Sequence, residues 1–316
     1  MKYGFGVDLG GTTVKLAWFN AQGEMLQKWE IPTVTENNGA SILPDIAKSV
    51  LQHLEQCAVP KSQVIGIGIG VPGPVNDAGE VNKCINLGWD RVDIHKELSD
   101  LTGLRVKAGN DANMAALGEA WRGGGKGCKN MVMVTLGTGV GGGIIIDGKP
   151  VAGAHGAAGE IGHLVVNTQE TERCSCGKYG CAEQYCSATG VVRMMKRRLE
   201  EDTQESALRG KDFSCKDVFD AAAAGDIPAQ QTLERVYDYM GQFLANVCCT
   251  VDPEAVVLGG GVSKAGKPLV DGAKKYFDKY IFHAARAIRF HLAALGNDAG
   301  VFGAFKLILD AAEGNG

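Results

Sequence analysis

No apolar run in this 316-residue sequence approaches the ~18 residues of a membrane-spanning helix. A cleavable secretory leader is not expected either. Met1-Lys2-Tyr3-Gly4-Phe5-Gly6-Val7-Asp8 carries a single cation and then alternates like a strand. Positive charge is not in excess: 32 basic against 36 acidic side chains leave a formal charge of −4, with no footing for nucleic-acid binding. Prolines number only nine and glycine follows no three-residue period, which excludes a collagen-like chain. The expectation is a cytoplasmic protein with neither a membrane nor a nucleic-acid partner.

Glycine is what the sequence has in plenty. Its 45 glycines are about 14% of the chain, roughly twice usual. A hydrophobic fraction of 45% argues against disorder, so these glycines belong inside folded structure. The length predicts two domains. Ten cysteines fit a reducing compartment as thiols or metal ligands. Seven of them, Cys57, Cys84, Cys128, Cys186, Cys215, Cys248 and Cys249, read as small core residues or unpaired thiols.

Periodicity predicts strands at 4–9 and 14–19 joined by a tight turn, and a helix over 41–56. A buried strand is expected at 64–71, a helix at 111–122, and strands at 131–136, 144–147 and 164–166. Further helices are expected over 190–201, 217–224, 229–251 and 299–309, with a strand at 255–258. Lys196, Arg197 and Arg198 precede Glu200, Glu201 and Asp202, which reads as i,i+4 pairing on a solvated face. Leu9-Gly10-Gly11-Thr12 and Leu136-Gly137-Thr138-Gly139 each lie between two strands. That faint repeat suggests a duplicated α/β domain with a cleft between the copies.

Gly137-x-Gly139-x-x-Gly142 matches the dinucleotide fingerprint, but a β-branched strand follows it where the fingerprint requires a helix. No G-x-x-x-x-G-K-[ST] occurs, so a P-loop is excluded as well. Two Gly/Thr-rich hairpins remain, with a third glycine loop at Gly259, Gly260 and Gly261. Bare turns of this kind let backbone N–H groups approach an anion. The alternative is that glycine serves only positive φ in ordinary hairpins. Phosphate and nucleotide binding is expected, with Asp8 placed to hold Mg²⁺ or its water shell.

Cys174, Cys176 and Cys181 form a C-x-C-x4-C cluster. Three thiolates lack one ligand for a closed zinc tetrahedron. His163 is the nearest upstream candidate and His155 the alternative, while free thiols are the competing reading. Asn110 and Asp111 fall where a helix begins and suit capping. Glu160 and Glu183 flank the cluster. With Asn110 they supply acceptors for a polyhydroxylated ligand.

Taken in order, these segments resemble the ROK family of sugar kinases and repressors. The residues that carry the resemblance are Gly6-Val7-Asp8-Leu9-Gly10-Gly11-Thr12-Thr13-Val14-Lys15, Asn110-Asp111-Ala112-Asn113, LGTGVGGG at 136–143, Glu160-x-Gly162-His163 and Cys174-x-Cys176-Gly177-x-x-Gly180-Cys181-x-Glu183. The resemblance implies a two-domain actin/Hsp70-like (ribonuclease H-like) ATPase fold with an interdomain cleft. A small α/β domain would comprise 1–110 with a C-terminal helix at about 299–316. A large α/β domain at 111–298 would carry the second hairpin, the zinc site and the adenosine loop. It also implies ATP-dependent phosphorylation of a hexose at its 6-hydroxyl. Glucose is the first expectation, and N-acetylmannosamine, N-acetylglucosamine, allose and fructose are the alternatives. Asp111 would be the general base. Asn110, Glu160, His163, Glu183 and the backbone at Gly73 would hold the sugar, with His163 serving the metal too. Asp8, Gly10, Gly11, Thr12, Thr13, Lys15, Gly137, Thr138 and Gly139 would take the nucleotide, with Gly259, Gly260 and Gly261 near its adenosine. A homodimer or homotetramer is implied. A repressor role is not expected, because the first hairpin begins at Gly4 and leaves no room for a DNA-reading segment.

Overall fold

The computed structural model describes residues 2–201 and 203–314. Asp202, the last member of the expected charge run, and residues 1, 315 and 316 of the expected domains lie outside the described residues. No helix among those described is long and apolar enough to cross a membrane.

The strands are β1 (Tyr3–Leu9), β2 (Thr13–Asn20), β3 (Met25–Pro32), β4 (Val64–Val71), β5 (Glu80–Val81), β6 (Val92–Asp93), β7 (Val106–Asn110), β8 (Met131–Leu136), β9 (Val140–Ile146), β10 (Lys149–Pro150), β11 (Ala255–Gly259) and β12 (Arg289–Leu292). One sheet runs β3-β2-β1-β4-β7 and the other β10-β9-β8-β11-β12. Position by position these are the same order: a hairpin with its outer strand, followed by two crossover strands. In the first sheet β1 and β2 are antiparallel, while β4 and β7 run parallel to β1. In the second, β8, β11 and β12 are parallel. The faint sequence repeat is thus a full topological repeat, and the fold is the actin/Hsp70-like one.

Two compact units follow. The first comprises the chain through Lys129, Gly143–Gly159 and the segment from Ala294 onward; the second comprises Asn130–Gly142 and Glu160–Ala293. This division differs from a boundary at 110/111. The helix Asp111–Arg122 joins the first unit because its glycine face lies directly on the helix Ala299–Glu313. A Cβ on Gly303 would stand 1.7 Å from Met114 O, and one on Gly118 would stand 2.1 Å from Ala299 O.

The same close approach explains the alternating glycines of β4, VIGIGIGV. Ile67 and Ile69 point into the first core with Phe5, Val7 and Leu16, all fully buried, and with Ile46 and Val50 of the helix Ile42–Gln56. On the opposite face, Gly6 and Gly68 admit the backbone of the C-terminal helix. Cβ atoms there would stand 2.1 Å from Val301 O and 1.7 Å from Ala304 O. Each fully buried Phe, Ile or Leu contributes about 1.5–3 kcal/mol. In the second unit β11 is buried end to end and β8 at all but Thr135, and Met240, Phe243 and Leu244 of the helix Ile227–Val251 and Phe277 of Lys267–Tyr280 are fully buried as well.

Two local expectations need correction, and two elements went unexpected. β9 begins at Val140, so most of the glycine run after 139 is strand rather than turn. The strand expected at 164–166 is a single bridge, Val165 with Cys181. β3 and the helix Lys267–Tyr280 were not expected: β3 alternates loosely and displays charges, whereas the helix buries Leu269, Ala273 and Phe277 along one face at helical spacing.

Candidate functional site

Asp8 is the penultimate residue of β1, and its register partner across the hairpin is Lys15. The two are ion-paired at 3.2 Å. Gly10 N donates to Thr13 O at 3.0 Å to close the turn. Thr33, just past β3, ties the turn down through Oγ1 to Gly10 O at 2.7 Å and N to Thr12 O at 3.0 Å. The N-terminus of the C-terminal helix abuts Asp8, and a Cβ on Gly300 would stand 2.7 Å from its carboxyl carbon.

Asn110 ends β7 and caps the helix Asp111–Arg122, accepting from Asn113 N at 3.1 Å. Capping occupies only its oxygen. Its amide nitrogen donates to Gly73 O at 3.1 Å and to Asp111 Oδ1 at 3.0 Å. Asp111 Oδ1 also accepts from Ala112 N at 2.8 Å. The Asn110 side chain therefore joins its neighbour Asp111 to Gly73, an expected site residue 37 positions earlier in the chain. Gly73, at φ +91, occupies the left-handed region that the Pro72-Gly73-Pro74 turn demands.

In the second unit, Gly137 N donates to Gly139 O at 2.9 Å within the turn between β8 and β9. Gly260, at φ +81, lies on the Leu136 backbone, where a Cβ would stand 2.5 Å from Leu136 O. The second and third glycine loops are therefore neighbours. Beyond them lies a cavity of about 1100 Å³ lined by residues including Phe219, Tyr237, Lys264, Ala265 and Pro268.

The fold accounts for most glycines by a positive φ or by a neighbour that no side chain could approach. Gly11, Gly137 and Gly261 have neither: φ is ordinary, and nothing lies within 4 Å of the position a Cβ would take. One such residue sits in each of the three glycine loops. Positive φ therefore does not explain them.

His163 closes a short 3₁₀ turn, and Cys174, Cys176 and Cys181 sit on a knuckle. Cys174 N donates to Lys178 O at 2.8 Å and Gly177 N to Cys174 O at 2.9 Å. Gly180, at φ +72, runs so close to Asn167 O that a Cβ would stand 1.8 Å away. The four ligand atoms lie within 4.8 Å of one another, and His163 rather than His155 completes the group. Cys176 and Cys181 sulfurs are 3.6 Å apart, and His163 Nδ1 is 3.8 Å from Cys174 Sγ. A zinc tetrahedron with ~2.3 Å bonds has sulfurs about 3.8 Å apart, so the donor set fits that ion. Burial pushes the Cys181 thiol up to about 12. The other ring nitrogen of His163 lies 4.0 Å from a carboxylate oxygen of Glu160. Glu183 Oε1 accepts from Ser175 Oγ at 2.8 Å and Oε2 from Val140 N at 3.1 Å, which puts it against the second hairpin.

Two carboxylates escaped the sequence reading. Glu119, fully buried, accepts from Gly124, Ala294 and Leu295 backbone N–H groups at 2.7–2.9 Å. Its only sequence signal is a charge on the apolar face of a helix. Glu170, with a side chain 1% exposed, pairs with Arg193 and Arg197 at 2.9 Å and accepts from Tyr185 OH at 2.6 Å. Arg197 above all, with Tyr185, holds the Glu170 carboxyl far below its ordinary range. Glu172 pairs with the same two arginines at 3.0 and 2.8 Å. This corrects the reading of the basic run as a solvated face: Arg197 instead anchors the loop that leads into the cysteine knuckle.

The ROK family matches residues 4–311. A glucokinase of Halalkalibacterium halodurans is 42% identical, covering 96% of this chain and 94% of its own. A glucokinase of Thermotoga maritima is 34% identical over 98% of both chains. Among solved structures, a ROK family glucokinase from Streptomyces griseus in complex with glucose and AMPPNP is 31% identical, with a TM-score of 0.72 over 96% of this chain and 98% of that one.

Proposed function

The chain belongs to the ROK family, and on that footing we propose that it is a hexokinase-type kinase that transfers the γ-phosphoryl group of ATP to the 6-hydroxyl of a hexose, with glucose as the preferred acceptor. The glucokinase relatives support the choice of sugar. The observation that carries the nucleotide half of the reading is the trio Gly11, Gly137 and Gly261, bare where the fold leaves room for a side chain. Backbone that avoids a methyl group without a structural reason is backbone kept clear for a ligand.

The residues divide the work as follows. Asp111 accepts the 6-hydroxyl proton as the O–P bond forms, and Asn110 holds that carboxylate in register with the Gly73 backbone. General-base assistance of this kind contributes ~10²–10⁴-fold. Gly73, Asn110, Glu160, His163 and Glu183 hold the remaining hydroxyls. The backbone at Gly10, Gly11, Thr12 and Thr13, with Lys15, and at Gly137, Thr138 and Gly139 neutralises the phosphates, since phosphoryl transfer depends on positioning and charge more than on covalent help. Gly259, Gly260 and Gly261 face the adenosine. Asp8 is the hard oxygen donor that would hold Mg²⁺ or its waters, and that ion would supply charge neutralisation at the phosphates. His163, Cys174, Cys176 and Cys181 would hold a structural zinc, which would fix the imidazole while its second nitrogen turns toward the sugar.

The test is a panel of hexoses and N-acetylhexosamines in an ADP-coupled assay. Glucose should give the highest kcat/KM. A clear preference for an N-acetylated sugar would overturn the choice of acceptor. Absence of ADP formation with every sugar would overturn the reaction itself.

A further inference from the structure

The turn that follows β8 is held along its whole length by one downstream segment. Ala188 N donates to Gly137 O at 2.8 Å. Thr189 Oγ1 donates to Thr138 O at 2.7 Å. Val140 N donates to Glu183 Oε2 at 3.1 Å. The segment is itself locked. Ser187, fully buried, donates through Oγ to Glu183 O at 2.6 Å, accepts from Gly190 N at 2.9 Å and meets Thr189 Oγ1 at 3.0 Å. A cavity of about 470 Å³ opens at the junction, lined by residues including Thr138, Gly139, Ser175, Glu183, Thr189 and Arg193.

Peptide geometry gives this arrangement a consequence. In a trans peptide the C=O of one residue and the N–H of the next point in opposite directions. Two consecutive carbonyls, Gly137 and Thr138, are drawn toward the segment by Ala188 and Thr189. The N–H groups of Thr138 and Gly139 are therefore both turned to the opposite side of the turn. Two successive amides aimed the same way form an anion-binding concavity. The backbone donor at Ala188 orients the first peptide plane, and the hydroxyl of Thr189 orients the second.

We infer that Thr189 is a positioning residue for the phosphate donor, setting through Thr138 O the direction of the Gly139 N–H toward a nucleotide phosphate. This rests on the reading of the 137–140 turn as phosphate-binding. The hydrogen-bond partners of Thr189 Oγ1 are Thr138 O and Ser187 Oγ, so its effect should fall first on the nucleotide. The cysteine knuckle ends at Cys181, two residues before Glu183, so the strut that begins there also serves the donor phosphates.

The experiment compares Thr189→Val, which keeps the shape and removes the hydroxyl, with Thr189→Ser, which keeps the hydroxyl, and with Gly137→Ala, which puts a methyl group where the fold leaves open space. KM for ATP and glucose and the Kd of a non-hydrolysable ATP analogue are measured for each. Thr189→Val should raise the KM for ATP and the analogue Kd about 3- to 10-fold, the usual worth of one hydrogen bond. The KM for glucose should change less than about 2-fold, and Thr189→Ser should restore ATP affinity. If Gly137→Ala weakens ATP and Thr189→Val does not, the inference is overturned and the phosphate reading stands. If neither weakens ATP, the phosphate reading itself fails. An equal rise in KM for both substrates in Thr189→Val would mark a merely structural residue and also overturn the inference.

Discussion

Asp111 is the residue on which the proposed chemistry turns. Asp111→Asn keeps the hydrogen-bonding shape beside Asn110 but removes the proton acceptor. Turnover should fall ~10²–10⁴-fold, while glucose binding measured by calorimetry stays within a few-fold of wild type. Near-normal turnover would remove Asp111 from its role. Gly11→Ala and Gly261→Ala make a second residue-scale prediction. Neither has a steric or backbone reason to destabilise the fold, and alanine lowers the entropy of the unfolded chain, so thermal stability should hold or rise by about 0.4–1 kcal/mol. The KM for ATP should rise in both. At this scale the sequence was most legible where residue type limits chemistry. Three closely spaced thiols, an Asn-Asp pair at a helix start and glycine runs between strands each admit few uses. Glu119, Glu170 and Thr189 were illegible because what makes them matter is a partner far away in the chain. Glu119 meets Leu295, Glu170 meets Arg197, and Thr189 meets Thr138.

The cysteine knuckle and the helix Ala188–Glu201 behave as one element, joined by Glu170, Glu172, Arg193 and Arg197. Breaking a buried pair typically costs about 3–5 kcal/mol, so Glu170→Gln should lower the thermal midpoint clearly at neutral pH. The pH dependence follows from the depressed Glu170 carboxyl. Its contribution is present in full above the unfolded carboxyl pKa of about 4.3 and is lost as pH falls toward the folded value. The gap between wild type and Glu170→Gln should therefore be full at pH 7 and narrow below about pH 4.5. A gap independent of pH would remove the charge from the explanation. Cys176→Ser should lower bound metal, measured by elemental analysis, and glucose affinity together. A folded, metal-free variant with normal glucose binding would uncouple the two. Elements with one clean apolar face, such as the helix Ile42–Gln56, were legible to within a residue or two. β3 was not, because it alternates only loosely and displays charges.

For the whole molecule, the telling feature is that two sheets repeat one strand order while their sequences retain only a four-residue echo of it. Topology outlasts side chains because β-strand order depends on crossover handedness and on buried aliphatic character, which many sequences satisfy. Ligands should register at this scale as well. Glucose or an ATP analogue at 100 times its Kd should stabilise the native state by about 2.7 kcal/mol. For a chain of this length that corresponds to a shift in thermal midpoint of roughly 4 °C. No shift with either ligand would argue against both proposed sites. The C-terminal helix adds a constraint on biosynthesis. Val301, Phe305 and Ile308 complete a core with Ala17 and Phe19, and Gly6 and Gly68 lie bare beneath the same helix. The ribosome makes that sheet first and its covering helix last. At ~5–20 residues per second, one face of the N-terminal sheet stays uncovered for on the order of ten seconds or more in every round of translation. A stop codon shortly before Ala299 would leave that face open for good, making chains truncated there natural clients for chaperones and proteases.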